Sequence, residues 1–183
     1  MHVLNRVLVY KEEGFGFNAP EEERISEARS IAEDETEDYC GPVYDWRETD
    51  TAGRWEDEYP KQVYFADENL EWFINEIKES IQSQKAEIAS YMEEIKSANA
   101  ADFETLINGL IDDNLQPEAV SSRFNSNIAF ALLKVSRLVY GDYDCDSCIY
   151  NTASSTARIY NEDIEAIKQE PNKWAIVMFD YHY

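Results

Sequence analysis

The chain has 183 residues, of which 44% are apolar and 13% aromatic, so it can bury a core and wholesale disorder is excluded. It carries 38 acids against 16 bases, a net charge of -22, which disfavours direct binding to nucleic acid or anionic membrane because both are polyanions. No stretch of about 18 apolar residues occurs, and three cysteines do not suit a secreted disulfide framework. We therefore expect a cytoplasmic protein.

The amino-terminal part predicts a strand followed by a helix. Residues 3–10 are rich in β-branched types and predict a strand, and the glycines of residues 14–19 predict a loop. Pro20 and the glutamates after it are typical of a helix start. The apolar stripe of this helix is narrow and ends near Ala32.

Acids and large aromatics alternate from Glu33 to Glu58, and Gly41, Pro42 and Gly53 interrupt them. This composition predicts irregular structure with one or two short strands and a hairpin around 50–53. Gln62 to Phe65 predicts another strand.

The region from about 67 to 98 shows the clearest periodicity in the chain. Apolar residues recur with alternating steps of four and three from Leu70 to Ile95, with Gln84 as one polar exception, which is a heptad seam. About 30 residues give a helix on the order of 45 Å long. The seam is covered either by helices of the same chain or by a second copy in a homodimer.

The rest of the chain predicts two amphipathic helices, at about 101–113 and 126–140, and then mixed structure. A strand is expected at 157–160, a helix capped by Asn161 at 163–169, and a last strand at 173–183 that can pair with the first. The predicted fold class is α+β: a small mixed or antiparallel sheet of the terminal strands packed with a helical bundle on one long helix. We expect a single domain, 1–183, with an acidic irregular part at about 12–66, a helical part at about 67–140 and a carboxyl-terminal α/β part at about 141–183.

The charge is concentrated in about a third of the chain. Residues 12–76 hold 21 acids and five bases, a difference of 16 of the 22 net negative charges. Three interpretations are open: a solvated surface, adaptation to high salt, or an interface for a basic partner. Aromatics among the acids favour the interface, although at least two of them are expected to anchor the loop to the core instead. The predicted partner-binding residues are Glu33, Asp34, Glu35, Glu37, Asp38, Asp45, Trp46, Glu48, Asp50, Trp55, Glu56, Asp57 and Glu58.

In size, net charge and this acidic tract, the chain resembles the acidic DNA-mimic inhibitors of phages and mobile elements, of the anti-CRISPR and antirestriction kinds. Twenty-two charges correspond to roughly 37 Å of duplex, close to the width expected of a domain this long. The resemblance implies a protein that occupies the basic nucleic-acid groove of a Cas effector, a restriction enzyme or a repressor, in the host cytoplasm if a phage encodes it.

Other chemistry is less well supported by the residues. Cys145 and Cys148 form one CxxC, which is half of a zinc site and could be completed by Cys40 and His182, but two reduced thiols are the simpler interpretation. The three aspartates of 142–146 lack the later ligands of a calcium loop. No catalytic motif occurs, so we expect no enzyme, no metal and no cofactor. The alternatives to the inhibitor are an oligomerising assembly protein and a metal-binding or thiol enzyme using the CxxC.

Overall fold

The computed structural model describes residues 2–16, 18–43, 46–48, 50–99, 101, 104, 127–140 and 149–182, with the backbone alone at 38–43, 46–48, 127 and 138. Its strands and helices establish an α+β fold with one long helix, as the sequence predicts. In chain order they are β1 (His2–Tyr10), α1 (Glu21–Val43), β2 (Trp46–Glu48), β3 (Val63–Phe65), α2 (Leu70–Ser97), α3 (Asn127–Tyr140), β4 (Ile149–Asn151), α4 (Asn161–Gln169) and β5 (Trp174–His182).

The described residues fall into two compact units. One comprises Met1–Gln82 with Cys145–Tyr183, and the other comprises Ser83–Asp144. We call them the sheet unit and the helical unit. The long helix α2 contributes its first turns to the sheet unit and its later turns to the helical unit.

The sheet unit is built around β5, which is buried from Trp174 to Tyr181. One edge of β5 pairs antiparallel with β1 over its whole length, in a register that places His2 opposite His182. Its other edge pairs with β2 at one end and β3 at the other, and β4 runs parallel to β1. The predicted pairing of the first and last strands is confirmed.

Helices cover both faces of this sheet. Side chains alternate between the two faces along a strand, so the even-numbered residues of β1 and β5 share one face. On that face α2 and α4 pack into one apolar core with the strands. The shared core residues include Leu4, Leu8, Phe73, Ile77, Ile164, Ile167, Ile176 and Met178. On the opposite face the α1 residue Thr36 lies with its hydroxyl oxygen 3.2 Å from that of Tyr181.

In the helical unit, the later turns of α2 pack against α3. The rings of Tyr91 and Phe130 meet edge to face with centroids 6.0 Å apart. The seam positions from Gln84 to Ile95 are half-buried, and Tyr91 is the one in described contact with α3. Of the helix predicted at 101–113, Ala101 and Glu104 are helical, and the remainder lies outside the described residues.

Four local predictions are wrong. The stretch directly after Glu33 is helical rather than irregular, because α1 continues to Val43. The helix continues there because Thr36 is buried and extends the buried stripe of Ala28 and Ala32 by one more turn. No hairpin forms at 50–53: β2 pairs with β5, and Gly53–Trp55 is a 3₁₀ turn.

The other two wrong predictions lie near the carboxyl end. The strand is at Ile149–Asn151 rather than 157–160, because only there does the chain pair with β1. Asn161 is the first helical residue rather than the cap of α4. The Asp163 carboxylate instead accepts the backbone N–H of Tyr160, at 2.7 Å.

Candidate functional site

Most described bases in the first 82 residues are occupied by ion pairs within the fold. Arg6 pairs with Glu76 at 2.8 Å in a buried contact, and Arg24 pairs with Asp67 at 2.7 Å in a part-buried one. The further pairs of these bases are Arg29–Asp50, Lys11–Glu27, Lys61–Glu68, Lys61–Glu21 and Arg24–Glu68. Because these cations already face carboxylates of the same chain, the remaining acids dominate the potential of the surface.

The outward side of α1 carries several of those remaining acids. Ala28, Ala32 and Thr36 turn inward, since all three are buried. Among the predicted site residues, Asp34, Glu35 and Glu37 are exposed and Glu33 is half-exposed. None of these four, nor the exposed Glu22 and Glu23, forms an ion pair within the described part of the chain. We call these six residues the acidic helix surface.

A second group of predicted site residues lies in the loop between β2 and β3. Asp50, Glu56 and Asp57 line a surface depression of about 430 Å³ together with Thr51, Ala52, Tyr59, Pro60 and Gln62. Glu58 is exposed beside them. We call Asp50 and Glu56 to Glu58 the acidic loop.

The ion pair between Arg29 and Asp50 brings the acidic loop to the flank of α1. Glu33 follows Arg29 by one helical turn and therefore lies on the same flank. The structure thus brings together part of the predicted site: one side of α1 and the loop that begins at Asp50.

The remaining predicted site residues fall into two groups. Trp55 is half-buried and packs on the apolar core, and Tyr59 is part of that core, so two of the aromatics that lie among the acids anchor the loop, as expected. Asp38, Trp46 and Glu48 lie in α1 and β2, where only the backbone is described. Asp45 lies outside the described residues, as do Cys145, Cys148 and the aspartates of 142–146.

Two buried groups hold the acidic loop in place, and sequence analysis identified neither. The Tyr59 hydroxyl donates to Glu76 Oε1 at 2.9 Å, and burial, followed by the neighbouring Glu76 carboxylate, raises the pKa of Tyr59. At the other end of the loop, the Asp180 carboxylate accepts the backbone N–H of Arg54 at 3.1 Å. Sequence spacing does not reveal either partner, because Tyr59 lies 17 residues before Glu76 and Arg54 lies 126 residues before Asp180. The loop is therefore positioned by the fold before any partner binds.

Some acids elsewhere in the sheet unit pair with nearby bases. On and after α4, Lys168 pairs with Glu165 and Lys173 pairs with Glu170. The six residues of the acidic helix surface have no such partner among the described residues.

No protein-family model, no curated protein and no solved structure matches this chain. No described helix is both long enough and apolar enough to cross a membrane.

Proposed function

We propose that this protein binds a basic nucleic-acid-binding enzyme, such as a Cas effector or a restriction enzyme, and inhibits it by occupying the groove that normally holds DNA. The observation that carries the proposal is the acidic helix surface, whose carboxylates have no ion-pair partner among the described residues. The contact surface would comprise this surface and the acidic loop beside it.

The dimensions of α1 suit this role. Its 23 residues give a length of about 34 Å, the rise of about ten nucleotides in one strand of B-form DNA. The helix contributes nine acids and two bases, and the acidic loop adds four further acids with Arg54 between them. Helix α1 and the acidic loop therefore carry a net charge of about -10, which the paired Lys11 and Lys61 lower to about -8, against about -10 for a single DNA strand of the same length. Carboxylates so spaced can accept charge-assisted hydrogen bonds from the arginines of a DNA groove.

The test compares two triple variants with the same change in net charge. The first, Asp34→Lys, Glu35→Lys and Glu37→Lys, alters α1. The matched control, Glu79→Lys, Glu94→Lys and Glu104→Lys, alters exposed glutamates elsewhere in the chain. Each protein is added to a panel of purified Cas effectors and restriction enzymes, and DNA cleavage and competition with a short duplex are measured at 50 and 200 mM salt.

We expect the native protein and the control to inhibit a panel member, and the α1 variant to bind it at least about tenfold more weakly, mainly through slower association. Raising the salt should weaken native binding, because exposed charges are screened. Equal inhibition by the two triple variants would show that α1 is not the contact surface. If the native protein inhibits no panel member and does not compete with DNA, the proposal fails.

The helical unit supports a second candidate function, which is self-assembly. Along α3 five large apolar side chains are between 37% and 78% exposed: Phe130, Leu132, Leu133, Val139 and Tyr140. On α2, the seam residues Ile74 and Ile77 are buried in the sheet unit and so cannot contact a second copy. Any pairing between copies through α2 would therefore use the later part of the seam, from Gln84 to Ile95.

Sedimentation at several protein concentrations tests the assembly function. If α3 joins two copies, the native protein sediments as a dimer and the variant Leu132→Glu, Leu133→Glu sediments as a monomer with unchanged helix content. The highest concentration, 100 µM, is roughly a hundredfold above a micromolar Kd. If the native protein is still monomeric at that concentration, the self-assembly function is excluded.

A further inference from the structure

Helix α1, which carries the acidic helix surface, contacts the sheet through small and polar side chains. Its buried side chains lie four residues apart in one line: Arg24, Ala28, Ala32 and Thr36. No described side chain of α1 is at once large, apolar and buried, whereas α2 buries Phe73 and Ile77 in the core. Apolar burial, the main force that holds a helix on a sheet, therefore contributes little to the docking of α1.

Arg24 has the only long side chain in this buried line, and its guanidinium contacts β3 and the turn that follows it. The guanidinium carbon lies 4.0 Å from the centroid of the Phe65 ring, which is a cation–π contact. Nη2 donates to Asp67 Oδ1 at 2.7 Å, and Nη1 is 3.6 Å from Glu68 Oε1. Arg24 is only 9% exposed, so water and salt screen these interactions weakly.

The residues that receive Arg24 are themselves fixed to the central strand β5. Phe65 is the last residue of β3 and pairs with Ala175. The next residue, Ala66, donates its backbone N–H to the carbonyl of Trp174 at 3.0 Å. Arg24 therefore connects the first turns of α1 to a part of the fold that is hydrogen-bonded to β5.

The ion pairs that α1 makes through other residues are weaker. Those of Glu21, Glu27 and Arg29 involve carboxylate side chains that are 39% to 81% exposed. Exposed ion pairs contribute little to stability, because water and salt screen them. The helix also holds nine acids against two bases, and the repulsion among these acids destabilises it.

We infer that Arg24 is the positioning residue of the acidic helix surface: it fixes α1 on the sheet in the orientation that the partner binds. Its effect on partner binding rests on the proposed function, whereas its effect on α1 itself does not depend on any partner. Without the guanidinium, the buried line would consist of two alanines and a threonine. We therefore expect α1 to open locally in that case, while the sheet stays folded.

Hydrogen exchange of the full chain, read by mass spectrometry on peptides of α1, tests whether Arg24 holds the helix. The variants are Arg24→Met and, as a milder change that keeps the shape of the acceptor, Asp67→Asn. The matched control is Arg6→Met. It breaks the buried ion pair with Glu76 on the opposite face of the sheet, a pair that the opening of α1 would not disturb.

We expect Arg24→Met to speed the exchange of the α1 peptides at least about tenfold, and Asp67→Asn to speed it by a smaller factor. Arg6→Met should leave the exchange of α1 close to that of the native protein, although it lowers the stability of the whole unit. Unchanged α1 exchange in both Arg24→Met and Asp67→Asn would overturn the inference. Equal acceleration in Arg24→Met and Arg6→Met would overturn it too, because α1 would then open only when the whole unit unfolds.

Binding to an enzyme of the panel separates positioning from a change in charge. Arg24→Met makes the net charge more negative by one, so charge alone predicts tighter binding to a basic partner. We expect instead that binding is at least about threefold weaker, as when α1 is docked in only about a third of the molecules. Lys168→Met removes one positive charge from an exposed pair with Glu165 on α4 and should bind at least as tightly as the native protein.

The two experiments keep this inference distinct from the proposed function. If the native protein binds and Arg24→Met binds as tightly as Lys168→Met, Arg24 does not position the surface, although the proposed function stands. If the native protein binds no panel enzyme, the proposed function fails, and the exchange of α1 alone then decides whether Arg24 holds the helix.

Discussion

Replacing Arg6 with methionine should destabilise the protein by about 3–5 kcal/mol, because it leaves the Glu76 carboxylate buried without its cation. The two residues are 7% and 8% exposed, and their nearest charged atoms are 2.8 Å apart. At an effective dielectric constant of about 20, opposite charges at this distance attract by roughly 6 kcal/mol. The Tyr59 hydroxyl donates to Glu76 in both proteins and therefore does not offset this loss.

The matched control removes all three polar partners together. The triple variant Arg6→Met, Glu76→Leu and Tyr59→Phe leaves no charge and no hydroxyl in this contact. It should therefore be closer in stability to the native protein than Arg6→Met alone, since a buried ion pair can often be replaced by apolar groups at little cost.

Urea unfolding followed by circular dichroism at 25 °C measures both differences. A domain of this kind has a total stability of about 5–15 kcal/mol, so a loss of 3–5 kcal/mol moves the midpoint clearly. If Arg6→Met costs less than about 1 kcal/mol, or if the triple variant is the less stable of the two, the reasoning about this buried pair is wrong.

Two further perturbations test how the acidic loop is held. Gly53→Ala should lower the thermal midpoint by several degrees, because φ is +57° and a Cβ would overlap the Asp180 carboxylate. In the control Gly16→Ala, the nearest neighbour of the new Cβ would be 3.5 Å away, so the midpoint should stay unchanged. Equal midpoints for the two variants would contradict this geometry. The raised pKa of Tyr59 means that this hydroxyl ionises in the unfolded chain near pH 10, before it does so in the folded protein. The contribution of this hydroxyl to stability is therefore present below pH 10 and lost as pH rises further. The urea midpoint of Tyr59→Phe should fall less between pH 10 and 11 than that of the native protein. The control Tyr160→Phe, at an exposed site, should show the same fall as the native protein.

The sequence alone predicts the elements whose residue pattern is long and regular. Both terminal strands, the long helix α2 and the helix α3 lie within a few residues of their predicted bounds. Apolar periodicity is informative there, because one face of each element is buried over many residues.

Shorter or polar elements escaped prediction for a physical reason. Thr36 continues the buried stripe of α1, but a threonine does not register as apolar, and its hydroxyl is satisfied only by the Ala32 carbonyl and by Tyr181 across the sheet. Strand β4 has three residues, too few for a period, and it exists because β1 offers it a free edge.

The candidate site could be predicted only in part for the same reason. Composition indicates that the region from Glu33 to Glu58 is acidic, yet only the Arg29–Asp50 contact shows which parts of it are neighbours. The contact of Arg24 with Asp67 was not predictable either, because it joins residues 43 positions apart in sequence.

The position of β5 has a consequence for how the molecule folds. This strand is the last of the described elements to be synthesised, yet it is the one on which β1, β2 and β3 all depend for pairing. Most native strand contacts therefore span large sequence separations, which predicts slow folding. In a nascent chain that has not reached Trp174, the backbone N–H and C=O groups along one edge of β1 lack the partner strand they have in the folded protein. Because unpaired strand edges promote aggregation, this stage of synthesis is the one at which we expect the sheet unit to be most aggregation-prone.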